Sequence, residues 1–222
     1  MIEVIYQDAD VMALHKPSGI SLLADRSGAP CLWEALPDLL NGKPYLVHRL
    51  DKPTSGVLLI ARHPASQRRL TRAFHMRQIR KFYLAWVQGM PPRAGTIDLP
   101  LRKGRKSRYR VAGNRADIEL RNSVWRLKNP QETDGGHDSL TRLRCLIAGT
   151  ARSLVVLQPR TGRTHQLRVH LAWIGHPILG DALYGVPGSP AQRAVRLQLH
   201  CHRLVVPELP PLAAAAPTEW LS

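Results

Sequence analysis

The chain has 222 residues, 44% of them hydrophobic, enough to bury a substantial core in one large domain or two small ones. Its 32 Lys and Arg against 16 Asp and Glu leave a formal charge of +16, which favours a polyanionic partner, either nucleic acid or an anionic membrane surface. No run of about 18 apolar residues can cross a bilayer. The start, Met1-Ile2-Glu3-Val4, lacks a leader pattern, and three scattered cysteines, Cys31, Cys145 and Cys201, argue against disulfides and a Cys-based zinc site, so a reducing cytoplasm is the expected compartment.

Residues 2–6 and 11–15 alternate as two short strands around the polar break Gln7-Asp8-Ala9-Asp10, a hairpin pattern closed by the turn Lys16-Pro17-Ser18-Gly19. A short helix fits residues 31–42. Next comes His48-Arg49-Leu50-Asp51-Lys52-Pro53-Thr54-Ser55-Gly56, in which a carboxylate lies between two cations on a turn, followed by the apolar strand 57–61. The two Lys-Pro turns look alike but do not make a repeat.

Pro64 suits the first position of a helix over 64–78, with Leu70, Ala73, Phe74 and Arg77 at helical spacing and Arg68, Arg69 and Arg72 on the other face. Residues 82–88 read as a buried strand entered through Lys81-Phe82-Tyr83. The stretch Arg102 to Arg110 is dense in Lys and Arg, either solvated or a flap over a phosphate backbone. Residues 128–138 are loop-like, and 141–147 and 153–157 are two further strands.

The second dense stretch runs Thr161-Gly162-Arg163-Thr164-His165-Gln166-Leu167-Arg168-Val169-His170-Leu171, a strand-to-helix turn whose backbone donors and Arg163 could face an anion. His165 and His170 do not share a helix face as a zinc pair would, and His200 and His202, on one strand face, lack a third ligand. A closing strand fits 197–206. The Pro- and Ala-rich tail 207–222 has little to fold around.

Together these segments resemble the RluA family of RNA pseudouridine synthases. The matching blocks, in order, are Lys16-Pro17-Ser18-Gly19, His48 to Asp51 with Thr54-Ser55-Gly56, Lys81-Phe82-Tyr83, Thr161 to Arg168, and His176-Pro177-Ile178-Leu179-Gly180-Asp181 with Tyr184-Gly185. The resemblance implies an α+β pseudouridine synthase fold, a mixed and largely antiparallel sheet with flanking helices and a central cleft. The catalytic domain would cover 1–206, with two halves and a variable basic segment, 102–152. The amino-terminal S4 domain of many relatives is not expected, because the match begins at the first strand.

The activity implied is isomerisation of uridine to pseudouridine in a stem-loop of tRNA, 23S rRNA or both, with no metal or organic cofactor, no membrane and no obligate protein partner, by a monomer in the cytoplasm. Asp51 matches the catalytic aspartate, Tyr83 the aromatic that stacks on the flipped uracil, and Arg163 the partner of the aspartate. Arg49 matches the residue that displaces the target base, and the same blocks put His48, Thr54, Lys81 and Arg168 with it at the RNA. Such chemistry calls for a carboxylate in a closed pocket and for base flipping, since the target is hidden in structured RNA. A non-catalytic RNA-binding or chaperone protein is the alternative, and intact Asp51, Tyr83 and Arg163 argue against it.

Overall fold

The computed structural model describes residues 2–25, 28–105, 108–129, 135–188 and 194–220. In chain order the elements are β1 (Glu3–Gln7), β2 (Val11–Lys16), α1 (Leu32–Leu40), β3 (Tyr45–Leu46), β4 (Ser55–Ala61), α2 (Pro64–His75) and β5 (Arg80–Gln88). There follow β6 (Ala94–Asp98), β7 (Leu101–Lys103), β8 (Tyr109–Val111), β9 (Ile118–Arg121), β10 (Val124–Leu127), β11 (Leu140–Ile147), β12 (Arg152–Pro159), α3 (Gln166–Trp173), β13 (Leu199–Val205) and β14 (Leu212–Ala213). They fall into two compact units, residues 1–81 with 199–222, and residues 82–198.

In the first unit the strand order is β1-β2-β4-β13, with β3 on β4 and β14 on β13. The β1–β2 hairpin, β2–β4 and β3–β4 are antiparallel, whereas β4 and β13 run parallel through His200 opposite Ser55 and Cys201 opposite Gly56. All of β4 is buried. On it and β2 lies α1, whose Leu32, Leu36 and Leu40, four apart, cluster with Met12, Leu14, Leu58 and Ile60. Proline opens α2 at its first turn, and the helix buries Ser66, Leu70 and Ala73. It ends at His75, three residues short of the expected boundary, because Arg77 adopts a left-handed conformation (φ 57°).

Gly56 has φ +117°, and a Cβ there would overlap the Cys201 backbone. Only glycine lets the chain leave the Asp51 turn and still pair with β13.

The second unit holds the order β5-β12-β11-β6-β10-β9, antiparallel except for β6 with β10. The fold is the mixed, mostly antiparallel α+β arrangement expected. Strands β6, β9 and β10 carry weak alternation and escape a reading of the sequence. The basic stretch is not simply solvated: β7 and β8 pair as a hairpin with Arg102 opposite Arg110, and Arg110 and Arg115 lie over the Trp173 ring at 5.9 and 5.4 Å. Residues 106–107 of that stretch, and 130–134 of the expected loop, lie outside the described residues.

The tail corrects the expectation that it had little to fold around. β14 pairs with β13, and Leu212, Ala214 and Trp220 are buried, with Trp220 edge-on to His200 at 6.1 Å. Short apolar residues between prolines conceal this, because period and length give no strand signal over two residues. Replacing Leu212, 1% exposed, by Ala is expected to lower stability by about 2–5 kcal/mol in urea unfolding; a change below about 0.5 kcal/mol would mean the tail is not part of the core.

Candidate active site

Asp51 stands on a turn in the first unit, where its carbonyl accepts from the Thr54 amide at 3.0 Å. Leu50 before it and Thr54 after it are buried, so the half-buried Asp51 is held between two anchored neighbours. The other Lys-Pro turn grips the same backbone. Gly19 N donates to Lys52 O at 2.9 Å, and Ser18 Oγ donates to Pro53 O at 2.6 Å. Lys16 is fully buried and its ammonium donates to three carbonyls, those of Pro17 and Ile20 at 2.8 Å and of Lys52 at 3.2 Å. Burial pulls the Lys16 pKa down to about 8, and the Asp51 charge opposes that fall. A buried cation therefore underpins the turn that presents the carboxylate, a role the sequence signalled only as two similar turns.

His48 was expected at the RNA, but its ring is built into the unit. Nε2 accepts from the Leu59 amide at 2.9 Å, and the ring stacks on Phe74 at 4.9 Å. Burial and then the Lys81 charge push its pKa down to about 3, so it is a neutral strut rather than a phosphate-binding cation. Thr54, 2% exposed, is likewise buried in the turn. Arg49 is exposed. Lys81 is half-buried, and burial lowers its pKa against an opposing effect of Cys201.

In the second unit Tyr83 sits on β5 opposite Leu157 of β12 and is buried. The Thr161–Leu171 segment is organised by Gln166, whose buried amide has all four of its positions filled. Its Oε1 accepts from Thr161 Oγ1 at 2.8 Å and from Arg163 N at 3.0 Å; its Nε2 donates to Leu140 O and Thr141 Oγ1, both at 3.0 Å. The Arg163 amide is thus spent internally and is not the free anion donor that the turn suggested. The Arg163 side chain is exposed, its Nε donating to Asp138 O at 3.2 Å.

Arg168 was expected to touch RNA and is instead 3% exposed, forked onto Asp181 through Nε–Oδ2 at 2.8 Å and Nη2–Oδ1 at 2.7 Å. Asp181 also accepts from the Leu183 and Tyr184 amides, and the Arg168 guanidinium lies over the Tyr184 ring at 5.1 Å. The Tyr184 hydroxyl accepts from Tyr109 N at 2.9 Å and lies 2.8 Å from His165 Nδ1. His165 holds a left-handed conformation, φ 56°, as it enters α3. The histidines earlier weighed as metal ligands are occupied: His200 with Ser55 Oγ and Ala214 O, His202 with Ala214 O.

His170 is buried beside this network. Its Nε2 donates to Leu99 O at 2.9 Å, and Nδ1 lies 3.0 Å from Thr141 Oγ1, whose hydroxyl proton is free to point at it because Gln166 supplies the other bond. Spacing alone gave no sign of this role.

Comparison with known proteins shows the family. The model of the RNA pseudouridylate synthase family matches residues 10–173. An uncharacterised RNA pseudouridine synthase of Zymomonas mobilis is 39% identical over 96% of this chain and 92% of its own. A tRNA pseudouridine synthase C of Yersinia pestis is 36% identical, covering 93% and 78%, and a dual-specificity RNA pseudouridine synthase RluA of Salmonella typhi 37% over 91% and 85%. Among solved structures, human RNA pseudouridylate synthase domain containing 4 superposes with a TM-score of 0.82 at 26% identity, over 98% of this chain and 90% of that one. The chain belongs to the RNA pseudouridylate synthase family, of the RluA type, and is an isomerase acting on RNA.

Burial pulls the His170 pKa down to about 4, against the Leu99 hydrogen bond. Between about 6.5, where the unfolded imidazole binds its proton, and about 4, the unfolded state holds more protons, so stability rises with pH over that window and is fully present above it. Urea unfolding should show roughly 2 kcal/mol less stability from this residue at pH 5 than at pH 7, and His170→Gln should shrink that difference. An equal pH dependence in the variant would show that His170 is not buried in its neutral form.

Proposed function

We propose that this isomerase converts a uridine in a stem-loop of tRNA, 23S rRNA or both, acting as a monomer in the cytoplasm, with Asp51 as its catalytic carboxylate. The observation that carries the assignment is the clasp on the Asp51 turn, two interlocked turns above a buried ammonium, which spends polar groups on fixing the backbone around one half-buried carboxylate. The names of the relatives, which act on tRNA or on RNA with dual specificity, support the substrate class.

In the reaction the C1′–N1 bond breaks, the uracil turns, C5 bonds to C1′, and the C5 proton is exchanged for one on N1. A single carboxylate serves whether it attacks the ring or ribose or removes a ribose proton. Tyr83 supplies a stacking face for the extruded base, and Arg49, exposed at the end of its side chain, fills the space left behind.

A carboxylate at work in this way calls for a cationic partner. Sequence resemblance nominates Arg163. What favours Arg168 in its place is preorganisation: it is buried and held by two bonds to Asp181, whereas Arg163 is exposed and turned to a backbone carbonyl. An electrostatic partner acts best when it has no reorganising to do.

Pseudouridine mapping in total RNA from a deletion strain, with and without the restored gene, tests the substrate assignment; the account expects one or a few sites in tRNA or 23S rRNA to vanish and return, and an unchanged map contradicts it. In turnover assays Arg168→Lys, which keeps the charge but not the fork, should lose about 10²-fold or more in kcat while Arg163→Ala stays within about tenfold. The reverse order would return the task to Arg163.

A further inference from the structure

The open face of the second unit's sheet carries charge that neither folding nor the proposed chemistry uses. Residues alternate sides along a strand, so Phe82 points away from the face that holds Tyr83. On the Phe82 side, Val156 and Gln158 of β12 and Arg142 and Arg144 of β11, with Arg93, line a groove of about 600 Å³. Arg93, Arg142 and Arg144 are exposed, and no carboxylate among the described residues lines the groove. In register, Arg142 lies between Thr96 and Gln158, and Arg144 between Ala94 and Val156, so no acid neutralises either across the sheet.

Arg142 and Arg144 stand two residues apart on one strand face, roughly 6.6 Å along it. Like charges so placed repel, and folding gains nothing from them. Some other arginines do have carboxylate partners, as Arg126 has in Glu119 and Arg69 in Asp10. Guanidiniums that have no carboxylate partner among the described residues, set around a half-buried aromatic on a sheet, are the pieces that bind single-stranded RNA, cations tracking phosphates and a ring receiving a base.

We propose that this face is a second RNA-contact surface, which takes a single-stranded segment of the substrate outside the modified stem-loop, with phosphates on Arg93, Arg142 and Arg144 and a base on Phe82. It rests on the RNA-modifying function above. It also accounts for Phe82 in the Lys81-Phe82-Tyr83 block, a residue to which the chemistry gives no task.

The test uses the full chain and a fluorescein-labelled oligouridylate of about 15 nucleotides, within the site size of single-strand grooves. Binding is followed by anisotropy over a salt series, and tritium release from RNA labelled at uridine C5 is measured in parallel. The double variant Arg142→Gln/Arg144→Gln should bind about tenfold more weakly at about 0.1 M salt, with a log–log salt slope shallower by about 1.4, the release expected for two single-strand phosphates. Phe82→Leu should weaken binding about fivefold or more with the slope unchanged. Lys43→Gln, an exposed cation of the first unit, should match the wild type.

Wild-type affinity and slope in the double variant would overturn the proposal, as would equally potent displacement of the RNA by polyglutamate, which would mark a site for acidic protein. Wild-type protein that releases tritium while the double variant binds normally defeats this inference alone. Protein that binds oligouridylate through this face without releasing tritium supports it and defeats the catalytic reading.

Discussion

The structure depends on one buried ammonium. Lys16 lies at the end of β2 with no exposed surface, and its three protons are shared among three backbone carbonyls, one of them in the turn that carries Asp51. A buried charge is tolerated when every donor is satisfied and an opposite charge is near, and both conditions hold here. The result is that a loop, the least constrained kind of backbone, is fixed as firmly as the sheet beneath it. Ser18 and Gly19 complete the grip, and Gly56 lets the chain turn from the carboxylate directly into a fully buried strand.

The second unit uses the same device with neutral groups. Gln166 links the start of β11 to the turn before α3, Thr141 passes the connection to His170, and His170 reaches Leu99. Such networks are high in stakes because each member left unpaired costs about 1–3 kcal/mol. Beside it Arg168 and Asp181 form a charged version, closed by the Tyr184 ring. The Thr161–Leu171 segment is therefore rigid before any RNA arrives, which is what an electrostatic contribution to catalysis requires.

Much of this was legible in the residues, though unevenly. β2, β4 and β5 show as apolar runs between turn signals, and α2 announces itself by a proline at its start and apolar residues at helical spacing. The ordered blocks around Asp51 and Arg163 pointed to the family through their resemblance alone. What sequence could not give was the direction of side chains. His48, Thr54 and Arg168 are polar residues in functional blocks, and nothing in their spacing distinguishes a group that faces RNA from one that braces the loop; only burial and partners do. The tail and the strands β9 and β10 escaped for a different reason, since two- to four-residue strands owe their existence to the neighbour they pair with and not to their own pattern.

The charge of the chain divides the same way. Part of the arginine excess is structural, stacked on Trp173 or forked onto Asp181, and part faces outward where it can meet phosphate. The central claim remains that the braced carboxylate performs the isomerisation. Single-turnover tritium release from RNA labelled at uridine C5, with wild type and Asp51→Asn compared at equal folded concentration, tests it most directly. The account predicts release by the wild type and none detectable above background in the variant; near wild-type release from Asp51→Asn would contradict it.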